Sequence, residues 1–155
     1  MRIGHGFDVH RFKQGDHVML GGVRIPHTHG IEAHSDGDVI LHALCDALLG
    51  AAALGDIGVF FPPSDPQYAH MASHLFLREV HQRIKQEGYE ISNLDITLVA
   101  EAPRVGPYRD EIRASIANIL GLALNAVNIK ATTTEKMGYC GREEGLAAYA
   151  VVFIK

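Results

Sequence analysis

The sequence has no tryptophan and only two cysteines, Cys45 and Cys140, among its 155 residues. Two cysteines are too few for the disulfide framework of a small secreted domain, and their spacing does not match a zinc-binding motif. A chain of this length buries enough apolar surface to fold without disulfides. We therefore expect two unpaired thiols in a reducing, cytoplasmic compartment.

Basic residues are not in excess, because 14 lysines and arginines stand against 18 aspartates and glutamates, for a net charge of −4. A protein that binds nucleic acid by neutralising phosphates is usually basic, so we expect no nucleic-acid partner. Long apolar runs are missing too. The most apolar run, residues 39–54, contains His42 and Asp46 and is too short to cross a bilayer, so we expect no membrane partner. The length predicts a single domain over residues 1–155.

Strands and three helices are mixed along the chain, as judged from the period of the apolar residues. This order predicts an α+β or α/β sandwich. The last strand is apolar on both faces, so it needs cover from a helix layer on one side and from something else, such as another subunit, on the other. The predicted strands are 2–10, 94–98, 127–134 and 146–154, with a hairpin over 18–25, and the predicted helices are 35–54, 71–87 and 107–121.

Local signals give the helix boundaries and the buried faces. Ser35 and Asp38 are three residues apart and fit a capping box at the start of the first helix. Leu75 and Leu77 are expected to face the core from the second helix. Pro107 is expected to open the third helix, because proline is favoured in the first helical turn.

Histidine is abundant, with ten in total, and two of them pair with acidic residues in a suggestive pattern. Asp8 and His10 are two apart on the first strand, so both side chains leave the same face, and the glycines before them leave room for something to approach. His42 lies in the apolar helix with Asp38 and Asp46 one turn to either side. Three ionisable groups on a buried stripe need partners.

Two imidazoles and a carboxylate from Asp8, His10 and His42 would form a three-ligand site with an open position, as in a catalytic zinc site. Asp46 would then accept a hydrogen bond from the second ring nitrogen of His42 and orient it. The alternative is a set of hydrogen-bonded core histidines. Residue types and spacing leave the two interpretations evenly balanced.

Two other segments carry groups that suit phosphate. His34 and Ser35 precede the first helix, whose N-terminus attracts anions, although plain capping by Ser35 explains the segment without a ligand and is favoured. Residues 132–134 are three threonines followed by Glu135, and hydroxyls with a carboxylate suit a diphosphate bridged by a hard cation. The alternative is β-branched residues in an ordinary strand.

Five ordered motifs span the chain, and together they resemble the 2-C-methyl-D-erythritol 2,4-cyclodiphosphate synthase family of the non-mevalonate isoprenoid pathway. The resemblance covers essentially the whole sequence. The motifs are IGHGFDVHRF at 3–12, HSDGDV at 34–39, GDIG at 55–58, AEAP at 100–103 and KATTTEK at 130–136.

The resemblance implies an α+β fold with a mixed β-sheet and helices packed on one face, in a homotrimer whose sheets surround a central axis and whose active sites lie between subunits. It implies a lyase that cyclises a CDP-linked substrate by metal-assisted intramolecular phosphoryl transfer and releases CMP. Asp8, His10 and His42 would hold zinc (Zn²⁺). Glu135 would help to hold a second divalent cation, Mg²⁺ or Mn²⁺.

The resemblance also implies roles for individual residues. His34 and Thr133 would stabilise the transition state, and residues 100–106 and 131–133 of a neighbouring subunit would hold the cytidine part. The implied substrate-binding residues are Asp8, His10, Ser35, Asp56, Ile57, Gly58, Phe61, Asp65, Ala100, Pro103, Arg104, Val105, Gly106, Ala131, Thr132, Thr133, Thr134, Glu135, Tyr139 and Arg142. Pro63 and Glu101 depart from the family's usual residues.

Two other functions fit a metal site in a domain of this size. One is a metal-dependent phosphohydrolase that uses water as its nucleophile, and the other is a non-catalytic, metal-stabilised binding module. Neither predicts a diphosphate cradle beside the metal. The motif at 55–58 and the threonine segment at 132–134 therefore favour the cyclase.

Overall fold

A computed structural model describes residues 1–62 and 64–155, so Pro63 lies outside the described residues. The predicted mixture of strands and helices is confirmed as an α+β fold. The strands are β1 (Arg2–Gln14), β2 (His17–Leu20), β3 (Val23–Pro26), β4 (His29–Ile31), β5 (Ile91–Val99), β6 (Val127–Thr132) and β7 (Gly145–Ile154). The helices are α1 (Val39–Ala51), α2 (Ile57–Phe60), α3 (Ser73–Gln86), α4 (Arg109–Leu120) and α5 (Gly138–Gly141).

Five strands form one mixed sheet in the order β4-β1-β7-β5-β6, and β2 and β3 form the predicted hairpin. Strand β7 runs antiparallel to both β1 and β5, whereas β5 and β6 are parallel. Helices α1, α3 and α4 lie on one face, where the alternate residues of the strands are buried. This is the α+β arrangement with a mixed sheet that the family resemblance implies.

Strand β1 presents two different faces, and the space left by its glycines is filled by helix α1. A Cβ built on Gly6 would lie 1.9 Å from the carbonyl oxygen of Ala43, and one built on Gly4 would lie 1.8 Å from that of Ala47. Only glycine allows so close an approach of helix to strand. What approaches the glycines is therefore the backbone of α1, which brings His42 to the end of β1 that carries Asp8.

The start of α1 differs from the prediction, because Asp38 rather than Ser35 caps the helix. The carboxylate of Asp38 accepts a hydrogen bond from the backbone N–H of Leu41, and Val39 is the first helical residue. Ser35 Oγ instead accepts from the N–H of Gly37 at 3.1 Å. The capping box at Ser35 is therefore wrong, because the carboxylate of Asp38 caps the N-terminus of α1.

The same carboxylate of Asp38 ties the helix to the hairpin. It accepts hydrogen bonds from the N–H groups of Gly21 and Gly22 at 2.9 and 2.7 Å, and both glycines adopt positive φ in the turn. Complete burial raises the pKa of Asp38, although these backbone donors oppose the shift. Asp38 is therefore a structural carboxylate with its hydrogen bonds directed at the backbone.

Helices α3 and α4 begin later than predicted. Helix α3 starts at Ser73, and Leu75, expected to face the core, is 42% exposed because Phe76 takes the buried side. A 3₁₀ turn over Gly106–Tyr108 precedes α4, so Pro107 lies in that turn and not in the α-helix. The strand predicted over 127–134 ends at Thr132.

The other face of the sheet is largely uncovered, and it is apolar over β1 and β7, whereas β5 and β6 carry Asp95, Asn128 and Lys130 there. Ile3 is 67% exposed, and Phe7, Val9, Tyr149 and Val151 on the same face are each more than a third exposed. The one-turn helix α5 packs against the end of this face, which corrects the expectation that all helices share one side. Strand β7 therefore packs against the layer of larger helices on one face, while α5 covers only the end of its other face.

The glycine contact yields a stability prediction. Gly6→Ala should lower the free energy of unfolding by about 3 kcal/mol or more, because the new methyl group meets the backbone of α1 and not a movable side chain. Gly50→Ala is the control. Gly50 lies in α1, the helix that Gly6 contacts, with open space around it, and alanine there should stabilise the helix by about 1 kcal/mol relative to glycine. Urea unfolding measures both, and a Gly6→Ala protein as stable as the unaltered one would contradict the packing described.

Candidate active site

Strand β1 and helix α1 bring Asp8, His10 and His42 together. One donor atom from each of the three lies within 4.8 Å of the others. Asp8 Oδ2 is 3.0 Å from His10 Nδ1 and 3.1 Å from His42 Nδ1. The three residues therefore form a group that can hold a divalent cation, as their spacing in the sequence suggested.

The hydrogen bonding of this group fits a bound cation. His10 Nδ1 is buried and, despite its distance from Asp8, has no partner of hydrogen-bonding geometry among the described residues. A buried ring nitrogen without a partner is costly in a dry core. Two imidazoles and one carboxylate also match the donor set of a three-ligand site with an open position. The residues present thus fit a divalent metal.

The charges in the group favour an ionised carboxylate. Burial alone would raise the pKa of Asp8, but the hydrogen bond with His42 and the closeness of both imidazoles outweigh it, and the pKa of Asp8 falls below its usual value. Burial opposes protonation of His42, but its hydrogen bond with Asp8 and the nearby negative charges raise the pKa of the imidazole overall. The site therefore attracts positive charge, and a proton and a metal ion compete for His42.

Asp46 does not orient His42 as predicted. Its carboxylate accepts a hydrogen bond from the backbone N–H of Ile57 at 2.8 Å and so fixes the start of α2. His42 Nε2 lies 2.8 Å from Ser73 Oγ, at the start of α3. Ser73 also hydrogen-bonds the carboxylate of Asp36. The partner of His42 Nε2 thus comes from α3, and the sequence analysis did not connect that helix with His42.

A cavity of about 290 Å³ opens beside His10 and His42, two of the candidate metal ligands, and we call it the metal cavity. Its wall combines polar groups next to His42 with an aromatic cluster, in which the rings of Phe61 and Phe76 lie 4.8 Å apart between centroids. The predicted residues that line it are His10, His34, Ser35, His42, Ile57, Gly58 and Phe61, and the unpredicted ones are Ala33, Tyr68, Ala69 and Phe76.

The carboxylates of Asp56 and Asp65, both predicted to bind substrate, do not line this cavity. Asp56 caps α2 by accepting from the N–H of Val59 at 3.2 Å. Asp65 accepts from the backbone and side-chain nitrogens of Gln67 at 3.0 and 2.7 Å. Both carboxylates therefore stabilise the backbone of the loop that surrounds the cavity.

A second groove, of about 580 Å³, lies on another part of the chain, where β5 and β6 end. It shares no lining residue with the metal cavity, so His34 and Thr133 line separate sites within one chain. The predicted residues in its wall are Ala100, Pro103, Arg104, Val105, Gly106, Ala131, Thr132 and Thr133, joined by Leu98, Glu101 and Pro107.

Glu101 organises the threonine segment beside this groove. Its Oε1 atom accepts from the backbone N–H groups of Thr134 and Lys136, each at 3.1 Å. Glu135 adopts a positive φ of 53°, and its N–H donates to Thr133 Oγ1 at 3.2 Å. The sequence drew attention to Glu101 only as a departure from the family's usual residue, which did not disclose this role.

Tyr139 and Arg142 lie elsewhere, at the open face of the sheet. Tyr139 lines a third groove with Phe7, Arg11 and Glu144. Arg142 pairs with Glu144 at 3.0 Å. This third groove shares His10 with the first cavity. The predicted site residues therefore lie around two adjoining hollows and the separate second groove.

Comparison with known proteins identifies relatives over the full length. The YgbB family model matches residues 1–155. The 2-C-methyl-D-erythritol 2,4-cyclodiphosphate synthase of Thioalkalivibrio sulfidiphilus (strain HL-EbGR7) is 57% identical over 155 residues, which are 100% of this chain and 97% of that protein. Across the residues that the structure describes, no helix has both the length and the apolar character needed to cross a membrane.

Solved structures give the same result. A 2C-methyl-D-erythritol-2,4-cyclodiphosphate synthase in its CDP-bound form is 36% identical with a TM-score of 0.92, covering 99% of this chain and 100% of that one. The bifunctional IspDF of Campylobacter jejuni is 42% identical with a TM-score of 0.96, and the match covers 99% of this chain but 42% of that one.

The metal ligands can be tested without an activity assay. After loading with zinc as the probe ion and dialysis, His10→Ala and His42→Ala should each retain less than about a tenth of one ion per chain, because a site with two protein ligands binds far more weakly. His17→Ala is the control, since His17 contacts Asp16 and Arg24 in the hairpin and not the site. Elemental analysis of folded protein measures the metal, and unchanged zinc in His42→Ala would remove His42 from the ligand set.

Proposed function

The chain belongs to the YgbB family, whose full-length curated relatives are 2-C-methyl-D-erythritol 2,4-cyclodiphosphate synthases, and we propose how its own residues carry out that reaction. The enzyme converts 4-diphosphocytidyl-2-C-methyl-D-erythritol 2-phosphate to 2-C-methyl-D-erythritol 2,4-cyclodiphosphate and CMP in the non-mevalonate isoprenoid pathway. An oxygen of the 2-phosphate attacks the β-phosphorus of the CDP group, the new P–O bond closes the ring, and the bond to CMP breaks.

The site must hold two phosphates that repel each other. Asp8, His10 and His42 would hold a divalent ion, which we take to be zinc, and a bound ion of this kind supplies Lewis acidity and a fixed template for phosphate oxygens. His34 is exposed on the cavity wall, where its ring can donate to charge that develops on the transferring phosphate. No enzyme nucleophile is needed, because the nucleophile belongs to the substrate.

The aromatic wall of the cavity favours cyclisation over hydrolysis. Phe61 stands edge-on to Tyr68 and packs against Phe76, which in turn contacts the ring of His42. Apolar rings around a reacting phosphate reduce the access of water, which is the competing nucleophile. This wall is the feature that separates the cyclase from a phosphohydrolase built on the same metal ligands.

The second groove fits the nucleotide part of the substrate. Its walls combine backbone from 100–106, the guanidinium of Arg104 and the hydroxyls of Thr132 and Thr133. Glu135 lies next to Thr133 on the same segment, so we assign it to a second cation, Mg²⁺ or Mn²⁺, across the diphosphate. Thr133 would then stabilise the transition state from the nucleotide side.

The division of the site between two grooves supports a homotrimer with the active site between subunits. The metal cavity of one chain and the nucleotide groove of the same chain share no lining residue, so a neighbouring copy is the natural source of the second half. The apolar face that carries Phe7 and Tyr149 offers the contact surface, because so many large exposed apolar side chains on one sheet face are typical of an interface.

Other features fit the same proposal. Cys45 and Cys140 are unpaired and buried, which suits the reducing cytoplasm. The observation that carries the proposed mechanism is the Asp8–His10–His42 group opening on the cavity lined by His34.

Product identity tests the reaction. Phosphorus NMR of the protein with its CDP-linked substrate should show the cyclic diphosphate and CMP, and a chelator should stop both signals from appearing. CMP with a linear phosphorylated product would support the phosphohydrolase instead. Retained metal with no turnover would support the non-catalytic binding module.

Mixed assemblies test the position of the site. His42→Ala breaks the metal half and Ala131→Trp fills the nucleotide groove, so each protein alone should be inactive. When the two are mixed at equal amounts and reassembled, roughly a quarter of the sites receive two intact halves, and activity should return to about that level.

The control mixture combines His42→Ala with His10→Ala, both in the metal half, and should stay inactive. Activity assays with sedimentation analysis measure the outcome. No recovery in a properly assembled His42→Ala and Ala131→Trp mixture would place the complete site within one chain.

A further inference from the structure

Two residues outside the cavity, Ser73 and Asp36, connect to the metal ligand His42. Ser73 Oγ lies 2.8 Å from His42 Nε2 and also hydrogen-bonds Asp36 Oδ1. Ser73 is completely buried at the first turn of α3, and neither it nor Asp36 lines the metal cavity. The contact joins residues 31 positions apart in the chain, so it depends on how α3 packs against α1.

The direction of these hydrogen bonds follows from the donors around Asp36. Its carboxylate receives the N–H of Ser73 at 3.0 Å and the N–H of Asp38 at 3.2 Å, together with the hydroxyl of Ser73. An ionised carboxylate only accepts hydrogen bonds, so the Ser73 hydroxyl donates to Asp36. Its oxygen is then left to accept a hydrogen bond from the Nε2–H group of His42.

The direction of these hydrogen bonds determines which ring nitrogen of His42 carries the proton. With the proton on Nε2, the lone pair of Nδ1 is free, and Nδ1 is the nitrogen that lies 3.1 Å from Asp8 at the metal group. A ligating histidine usually donates its other ring N–H to an acceptor, which sets both tautomer and ring orientation. The nearby Ser35 hydroxyl is 3.4 Å from the same nitrogen and receives the N–H of Gly37, so it is the weaker partner.

We propose that Ser73 and Asp36 are positioning residues that hold His42 in the Nε2–H tautomer with Nδ1 aimed at the metal. This inference rests on the proposed function, because it takes Asp8, His10 and His42 as the ligands of a divalent ion. When the Ser73 hydroxyl donates to Asp36, its oxygen becomes a stronger acceptor for the Nε2–H group of His42. This series of hydrogen bonds therefore raises the basicity of His42 Nδ1. The pair therefore tunes metal affinity without touching metal or substrate.

Ser73→Ala tests the proposal because it removes the hydroxyl and keeps the backbone N–H that binds Asp36. Losing such a partner should weaken metal binding about 10- to 100-fold. Cobalt(II), added to metal-free protein and followed by its visible absorption, gives the affinity independently of activity. Ser115→Ala is the matched control, since it deletes the same atom from a half-buried position on α4 and should leave the affinity unchanged.

The outcomes separate the positioning role from the metal centre itself. No cobalt binding by the unaltered protein would overturn the ligand assignment, and the proposal with it. Normal binding by the unaltered protein and by Ser73→Ala alike would overturn the role of Ser73 alone.

A second measurement needs no variant of Ser73, so it holds even if Ser73→Ala folds poorly. Nitrogen-15 NMR of the zinc-loaded protein, with the His42 signals assigned by their loss in His42→Ala, should show a proton on Nε2 and metal on Nδ1. Metal on Nε2 would overturn the proposal, because that nitrogen could then not donate to Ser73.

Discussion

The contact between α1 and the glycines of β1 determines most of this structure. Helix backbone lies directly on strand backbone at Gly4 and Gly6, and no side chain separates them. A helix held this closely has little freedom to slide or rotate, so the position of His42 relative to Asp8 is set within a narrow range. The accuracy that metal ligation requires thus comes from two residues without side chains.

The sequence predicted the pattern of this fold better than its contacts. Period-two alternation correctly separated the two faces of β1, because alternation is a property of the strand alone. It did not show that a helix would occupy the space over the glycines. The start of α1 was missed for a similar reason: Asp38 caps the helix and also binds the turn at Gly21 and Gly22, and a carboxylate with several buried partners prevails over the local capping box at Ser35.

The grouping of Asp8, His10 and His42 could be predicted from the sequence, whereas the hydrogen bonds that hold His42 in place could not. Asp8 and His10 are close in sequence, and His42 stood out as an ionisable residue on an apolar helix. Ser73 carried no such signal, since a serine near a helix start is common and its partner lies 31 residues away. Asp46 misled for the opposite reason, because one helical turn of spacing suggested a contact with His42, yet its carboxylate binds the backbone at the start of α2.

Net charge shows why composition could not locate this site. A net charge of −4 over the whole chain opposes the approach of a substrate with several phosphates. In the proposed site the balance is local, because Asp8 and Glu135 are carboxylates that would each bind a divalent cation, and the two positive charges of such an ion exceed the single negative charge of a carboxylate. A site built this way needs carboxylates where a basic site would need arginines. An acidic composition is therefore compatible with the proposed binding of a phosphate substrate, because the charge of the whole chain does not report the charge at such a site.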